Sequence, residues 1–110
     1  VVQIEHPTGL AALEAIAAVD GVDGLFIGPN DLASTMGYLA DPSAPEMKVV
    51  IEEALARIRR TGKAAGILQF SRAEARALLA AGVNFVAVGS DASILARQSE
   101  ALLADVAPAA

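Results

Sequence analysis

The chain predicts an α/β fold of four parallel βα units, on three observations. Strand-like and helix-like patterns alternate four times, no linker or change of composition interrupts them, and 55% of the residues are hydrophobic with only 4% aromatic. Apolar content drawn mainly from Ala, Val, Leu and Ile suits parallel strands covered by Ala-rich helices. Residues 1–110 therefore read as one domain, with each crossover right-handed. Two architectures satisfy the pattern: a complete small open sheet, or half of a closed eight-stranded barrel, which needs about 250 residues.

Val1 to Ile4 is the first strand, and Thr8 is positioned to cap a helix from Gly9-Leu10 to about Ala18, with Leu10, Leu13 and Ile16 inward. Two Asp-Gly steps, Asp20-Gly21 and Asp23-Gly24, turn the chain back into a second strand ending at Ile27. Gly28-Pro29-Asn30 stops that strand and delivers Asp31 just beyond its tip; Asp31 to Met36 makes a short turn of helix. Gly37 to Pro45 is a loop, since Pro42 and Pro45 prevent a long regular element.

A longer helix, Glu46 to Arg60, presents Val49, Val50, Leu55 and Ile58 to the core and ends at Thr61-Gly62. Lys63 to Gln69 is the third strand. Ser71 with Glu74 three residues later forms a capping box for a helix from Ser71 to Ala81, closed by Gly82. Asn84 to Gly89 is the fourth strand, and Ser90 or Asp91 caps a last helix to about Val106, followed by a tail containing Pro108.

Composition excludes several classes of function. A net charge of −5, without an aromatic-and-basic patch, argues against nucleic acid, whose phosphates require clustered Lys and Arg. The one basic cluster, Arg57, Arg59 and Arg60, follows Glu52 and Glu53 and reads as a solvated helix face. The absence of cysteine removes disulfides, thiol nucleophiles and thiolate metal sites. No run reaches the ~18 apolar residues of a membrane span, and no signal-like segment opens the chain, so a cytoplasmic setting is expected. Beginning at Val1 in a strand pattern, the chain reads as an excised segment.

Ligands of parallel βα folds bind at the C-terminal strand ends. Glu5, Asp31, Gln69-Phe70 and Ser90-Asp91 all fall there on successive strands, so they can converge although distant in sequence. Glu5 and Asp31 are either helix caps and solvated loop acids, or a pair of carboxylates for a hard divalent ion. Mg²⁺ keeps waters and takes oxygen ligands, which leaves room for a 2-oxo acid to bind through its ketone and carboxylate oxygens. The turn from Gly28 to Asp31 offers backbone N–H groups for the substrate carboxylate; Pro29 has none, which leaves Asn30 and Asp31 as donors. Gln3 shares a strand face with Glu5 and is either a satisfied core polar group or a hydrogen-bond partner to it. His6 points the other way and reads as a local cap or a surface side chain, and Tyr38 either lines the mouth or covers the loop. There is no dinucleotide fingerprint, P-loop or nucleophile elbow. Lys48, on a helix, and Lys63, at the start of a strand, are poorly placed for Schiff-base chemistry.

Four segments, VQIE (2–5), DGLFIGPNDLASTMGY (23–38), GKAAGIL (62–68) and GVNFVAVGSD (82–91), resemble the HpcH/HpaI aldolase and citrate lyase beta family. The likeness is to its class II pyruvate aldolases, such as 4-hydroxy-2-oxoheptanedioate aldolase, and to the C-terminal half of their (β/α)8 TIM barrel, strands five to eight. It outweighs the pattern's slight preference for the open sheet, which has in its favour that it would be complete.

The resemblance implies that Glu5 and Asp31 ligate the metal, Mg²⁺ or Mn²⁺ with Co²⁺ as a further candidate. It implies a substrate contact surface of Gln3, Gly28, Asn30 and Asp31, and cleavage of 4-hydroxy-2-oxo acids to pyruvate and an aldehyde through a metal-bound enolate. The family's catalytic Arg and His-Asp pair have no counterpart in this segment. Hexamers built from dimers that exchange the last helix, here Asp91 to Val106, are also implied, as is association with the missing half-barrel. The acyl-CoA lyases of the same family and a non-catalytic α/β module are the competing readings.

Overall fold

The computed structural model describes residues 1–39 and 41–107; the expected tail at 108–110 lies outside the described residues. Strands β1 (Val2–Ile4), β2 (Gly24–Ile27), β3 (Ala64–Leu68) and β4 (Phe85–Ala87) are all parallel and lie in chain order. Helices α1 (Pro7–Ala11) and α2 (Leu13–Ala17) follow β1. The short α3 (Pro29–Thr35) and the long α4 (Pro45–Arg60) follow β2, α5 (Arg72–Ala80) follows β3, and α6 (Asp91–Val106) follows β4.

Strand order decides between the two architectures. A doubly wound open sheet must reverse direction to cover both faces, whereas crossovers of one hand that always step the same way put every helix on one side. Here the order never reverses, giving a parallel four-stranded sheet flanked by helices, a part of a (β/α) barrel.

The two sheet faces differ accordingly. Ile4, Leu25, Ile27, Ala65 and Ile67 are buried in the core shared with the helices. Gln3, Phe26, Gly66 and Phe85 are register neighbours on the opposite face. The Phe26 and Phe85 rings stack across β3 with centroids 5.7 Å apart. Gly66 makes that possible, since a Cβ there would sit 2.2 Å from the Phe85 ring.

Among the largest fully buried side chains are Leu13, Leu25, Ile27, Leu32, Met47 and Ile58, each worth roughly 1.5–3 kcal/mol of burial. On α4 the buried stripe is Met47, Ile51, Ala54, Leu55 and Ile58; of the four residues expected inward, Leu55 and Ile58 are buried and Val50 packs partly buried on the core, but Val49 is 63% exposed. The helix starts at Pro45, and the phase that buries Ile51, Leu55 and Ile58 turns Val49 outward.

Several local expectations are corrected by hydrogen bonds. His6, not Thr8, caps α1: its Nδ1 accepts from the Thr8 N–H at 3.1 Å, and Pro7 occupies the first helical position, where no N–H is missed. The helix expected to run to Ala18 breaks at Ala12 into α1 and α2. Ser71 does cap α5 by accepting from the Glu74 N–H, but the Ser71 N–H goes to Gln69 Oε1 at 2.9 Å, so the Glu74 side chain does not complete a box. The reciprocal box lies on α6, between Ser90 and Ser93.

Arg57 is not a solvated charge. Its guanidinium donates to both Glu14 carboxylate oxygens, at 2.7 and 2.6 Å, and pins α2 to α4. Those hydrogen bonds hold the Glu14 carboxyl down at about 2. Arg59 and Arg60 are exposed, as expected.

The last helix stands apart. No residue of α6 is buried, and Leu95, Leu102 and Val106, spaced by seven and four to share one stripe, are 71%, 64% and 77% exposed. The Cα radius of gyration, 16.5 Å, exceeds the ~13 Å of a compact chain of this length, consistent with a helix packed on little else. No helix among the described residues is long and apolar enough to cross a membrane.

Candidate active site

The C-terminal edge of the sheet is where β1 delivers Glu5 and β2 delivers Gly28. Gln3 on β1 and Glu5 just past its end are two residues apart and project to the same side, and the Gln3 amide donates from Nε2 to Glu5 Oε2 at 2.6 Å. Of the two readings of Gln3, this contact supports the partner to Glu5; Gln3 is exposed, not a core group. Gly28 lies directly against the pair. A Cβ on it would fall 2.7 Å from Gln3 Nε2 and 3.0 Å from Glu5 Oε2. With φ −94°, its backbone could carry any side chain, so what glycine supplies here is space. The Gly28 N–H donates to the Ile4 carbonyl at 3.0 Å and extends the β1–β2 pairing to the tip.

Pro29 starts α3 two residues earlier than the sequence suggested, because proline is tolerated at a first helical position. Asn30 and Asp31 are therefore first-turn residues, whose amides helix geometry leaves without an intrahelical acceptor. Asp31 is exposed, and among the described residues its carboxylate has no hydrogen-bond or ion-pair partner. Glu5 Oε1 is likewise without a protein partner there.

One contributor was missed by the sequence reading. Thr35, the last residue of α3, brings its hydroxyl within 3.2 Å of the Glu5 carbonyl as well as 3.0 Å of Asp31 O and 2.9 Å of Leu32 O. A Thr four residues after the acidic residue was the available signal, but its cross-chain acceptor is a backbone atom that no side-chain pattern announces.

The other strand tips are engaged differently. Gln69 donates to Glu74, which also pairs with Lys48 at 3.7 Å, and the Ser90 and Asp91 side-chain oxygens accept from the N–H groups of Ser93 and Ala92 in the first turn of α6. They are structural caps, not free ligands. Tyr38 packs partly buried against the core. A cavity of about 490 Å³ lies between α4 and α5 under Ile51, Leu55 and Leu78; Glu5 and Asp31 do not line it.

Among the described residues no group of three His, Cys, Asp or Glu could hold a metal ion. Any ion would rest on two carboxylates at most. Such a donor set is wrong for tetrahedral zinc but fits Mg²⁺ or Mn²⁺, which retain several waters. The space left by Gly28 and the unpartnered carboxylate oxygens are compatible with that fit.

Comparison with known proteins follows the same lines. The family model described as HpcH/HpaI aldolase/citrate lyase matches residues 1–97. A hydroxypyruvate/pyruvate aldolase of Pseudomonas aeruginosa is 55% identical over 96 residues, 87% of this chain and 36% of that protein. A 4-hydroxy-2-oxo-heptane-1,7-dioate aldolase of Salmonella paratyphi B is 48% identical over 103 residues, 94% of this chain and 39% of the relative. The crystal structure of an HpcH/HpaI aldolase/citrate lyase family protein from Burkholderia cenocepacia J2315 superposes with a TM-score of 0.87 at 37% identity, covering 96% of this chain and 41% of that one. The chain thus spans well under half the length of these relatives.

These matches bear out the likeness to a 4-hydroxy-2-oxo-heptane-1,7-dioate aldolase and correct the sequence reading that tied it to a C-terminal half only. Similarity runs through nearly the whole chain, residues 1–97, and includes a hydroxypyruvate/pyruvate aldolase at the higher identity. Four short words and their order had suggested a position in a barrel, whereas the similarity extends continuously through the helices between them.

Proposed function

The chain belongs to the HpcH/HpaI aldolase/citrate lyase family, and on that premise we propose that it supplies four βα units and the acidic half of the site of a divalent-metal-dependent aldolase. The substrate is a 4-hydroxy-2-oxo acid, cleaved between C3 and C4 to pyruvate and an aldehyde. The observation that carries this reading is the Gln3–Glu5 pair seated on the bare face of Gly28, in a chain 48–55% identical to aldolases.

Glu5 and Asp31 are the residues that would hold the ion. When bound, a divalent ion supplies Lewis-acid stabilisation of the charge that develops on the 2-oxo oxygen as the C3–C4 bond breaks. Gln3, by donating to Glu5 Oε2, fixes which carboxylate oxygen is free to face it. The Asn30 and Asp31 amides, with no intrahelical acceptor, accept the role of donors to the substrate carboxylate. Proton transfer to and from the C4 oxygen requires groups that none of these residues provides.

The test is pyruvate release by the intact protein from a 4-hydroxy-2-oxo acid in the presence of Mn²⁺. Release that is lost on chelation and restored by Mn²⁺ is expected. Cleavage of a malyl-CoA substrate without pyruvate release would instead place the protein with the acyl-CoA lyases, and neither activity would leave a non-catalytic module.

We also propose that α6 packs on a second copy, because Leu95, Leu102 and Val106 form an apolar stripe left exposed by the described residues. Native mass should show a homo-oligomer, and Leu102→Glu should lower that mass. An unchanged mass for the variant overturns the assignment of α6.

A further inference from the structure

Thr35 lies at the far end of α3 from the candidate ligand Asp31, and its hydroxyl reaches across to the other candidate ligand's main chain. Three carbonyl oxygens surround it, and one proton serves them. Leu32 O already accepts from the Met36 N–H at 3.0 Å, and Asp31 O is the carbonyl that the helix pairs with residue 35's own N–H. Glu5 O, among the described residues, has no other donor. A main-chain oxygen without a partner is the acceptor that gains most from the proton.

The Glu5 peptide needs such a tie. The β1–β2 pairing ends with Ile4 opposite Ile27 and the Gly28 N–H on Ile4 O, and the next ordered feature is the His6 cap of α1. Glu5 stands between them, held by neither the sheet ladder nor the helix. From the side chain it is held by Gln3, and from the main chain by Thr35.

We infer that Thr35 is a positioning residue: its hydroxyl fastens the Glu5 main chain to α3, so that the carboxylates of Glu5 and Asp31 are spaced as one unit for a divalent ion. The inference rests on the proposed metal role of those two acids and adds a residue that touches neither ion nor substrate.

Mn²⁺ titration of the intact protein, followed by electron paramagnetic resonance, separates the two claims. Thr35→Val keeps the shape and removes the donor; Thr35→Ala does the same with less bulk where valine is not accommodated. Mn²⁺ affinity should fall about tenfold, the lower end for a hydrogen-bond partner that orients a metal ligand. Thr35→Ser, which keeps the hydroxyl, should bind as the native protein does, a rescue that a purely packing role of the methyl group would not show. Thermal midpoints of all variants should be close, because the side chain is exposed. If Glu5→Gln loses Mn²⁺ while Thr35→Val and Thr35→Ala bind it normally, the positioning role is wrong and the metal reading stands. If Glu5→Gln binds Mn²⁺ normally, both are wrong.

Discussion

Glu5→Gln and Asp31→Asn should each abolish Mn²⁺ binding and reduce pyruvate release by about a thousandfold or more, the kinetic equivalent of several kcal/mol of lost charge stabilisation. Both replacements keep the shape of the side chain and delete its charge. Neither acid is buried, and the Asp31 carboxylate has no protein partner among the described residues, so the fold should keep its melting midpoint. Gln at position 5 would still be able to accept from Gln3 through its carbonyl oxygen, which isolates the loss of charge from the loss of the hydrogen bond.

The double variant should be little worse than either single one. An ion that needs both carboxylates is lost with the first, and groups that act as a unit are strongly non-additive. Normal Mn²⁺ binding in both single variants would sink the assignment, and losses that multiply would indicate two independent sites. Calorimetry with Mn²⁺ and pyruvate on the folded variants reads all three outcomes.

The strand and helix succession was legible because local chemistry announces it. Gly-Pro at 28–29 stops β2, Ser71 caps α5, and Thr61-Gly62 closes α4 with Gly62 at φ +79°. Strand tips carrying Glu5 and Asp31 followed from that succession alone. Long-range contacts were not legible. Arg57 looked like one of three solvated charges because its partner, Glu14, is 43 residues away on a different helix. Val49 looked like core because the three-residue apolar run Val49-Val50-Ile51 does not fix helical phase; packing against β2 and β3 does. Gln69, capping the Ser71 N–H, displaced a capping box whose sequence spelling was complete. In the proposed site the same division holds: the acidic residues were visible as letters, whereas the close approach of Gly28 to Gln3 and Glu5 lies in an absent atom and the contact of Thr35 with Glu5 in a carbonyl.

Gly28→Ala should separate site from fold more sharply than any substitution of a functional group. The backbone at Gly28 is not in the left-handed region, so alanine brings no conformational strain. Its methyl group, however, would lie 2.7 Å from Gln3 Nε2 and 3.0 Å from both Glu5 Cβ and Glu5 Oε2. Gln3 Nε2 and Glu5 Oε2 end exposed side chains that can swing away, whereas the contact with Glu5 Cβ requires a backbone shift of a few tenths of an ångström. Relieving the overlap costs the Gln3–Glu5 hydrogen bond and moves the carboxylate. Stability should therefore drop by about 1 kcal/mol, the low end for overpacking, while Mn²⁺ affinity drops 10- to 100-fold, as for loss of a partner that orients a ligand. Gln3→Ala should lose a similar factor by deleting the donor outright. Since both changes remove the same contact, their effects should not add: Gln3→Ala in the Gly28→Ala background should cost little more than either alone. Additive losses would mean that Gly28 acts on the site by some route other than the Gln3–Glu5 pair, and native affinity in Gly28→Ala would mean that the room it leaves serves no ligand at all.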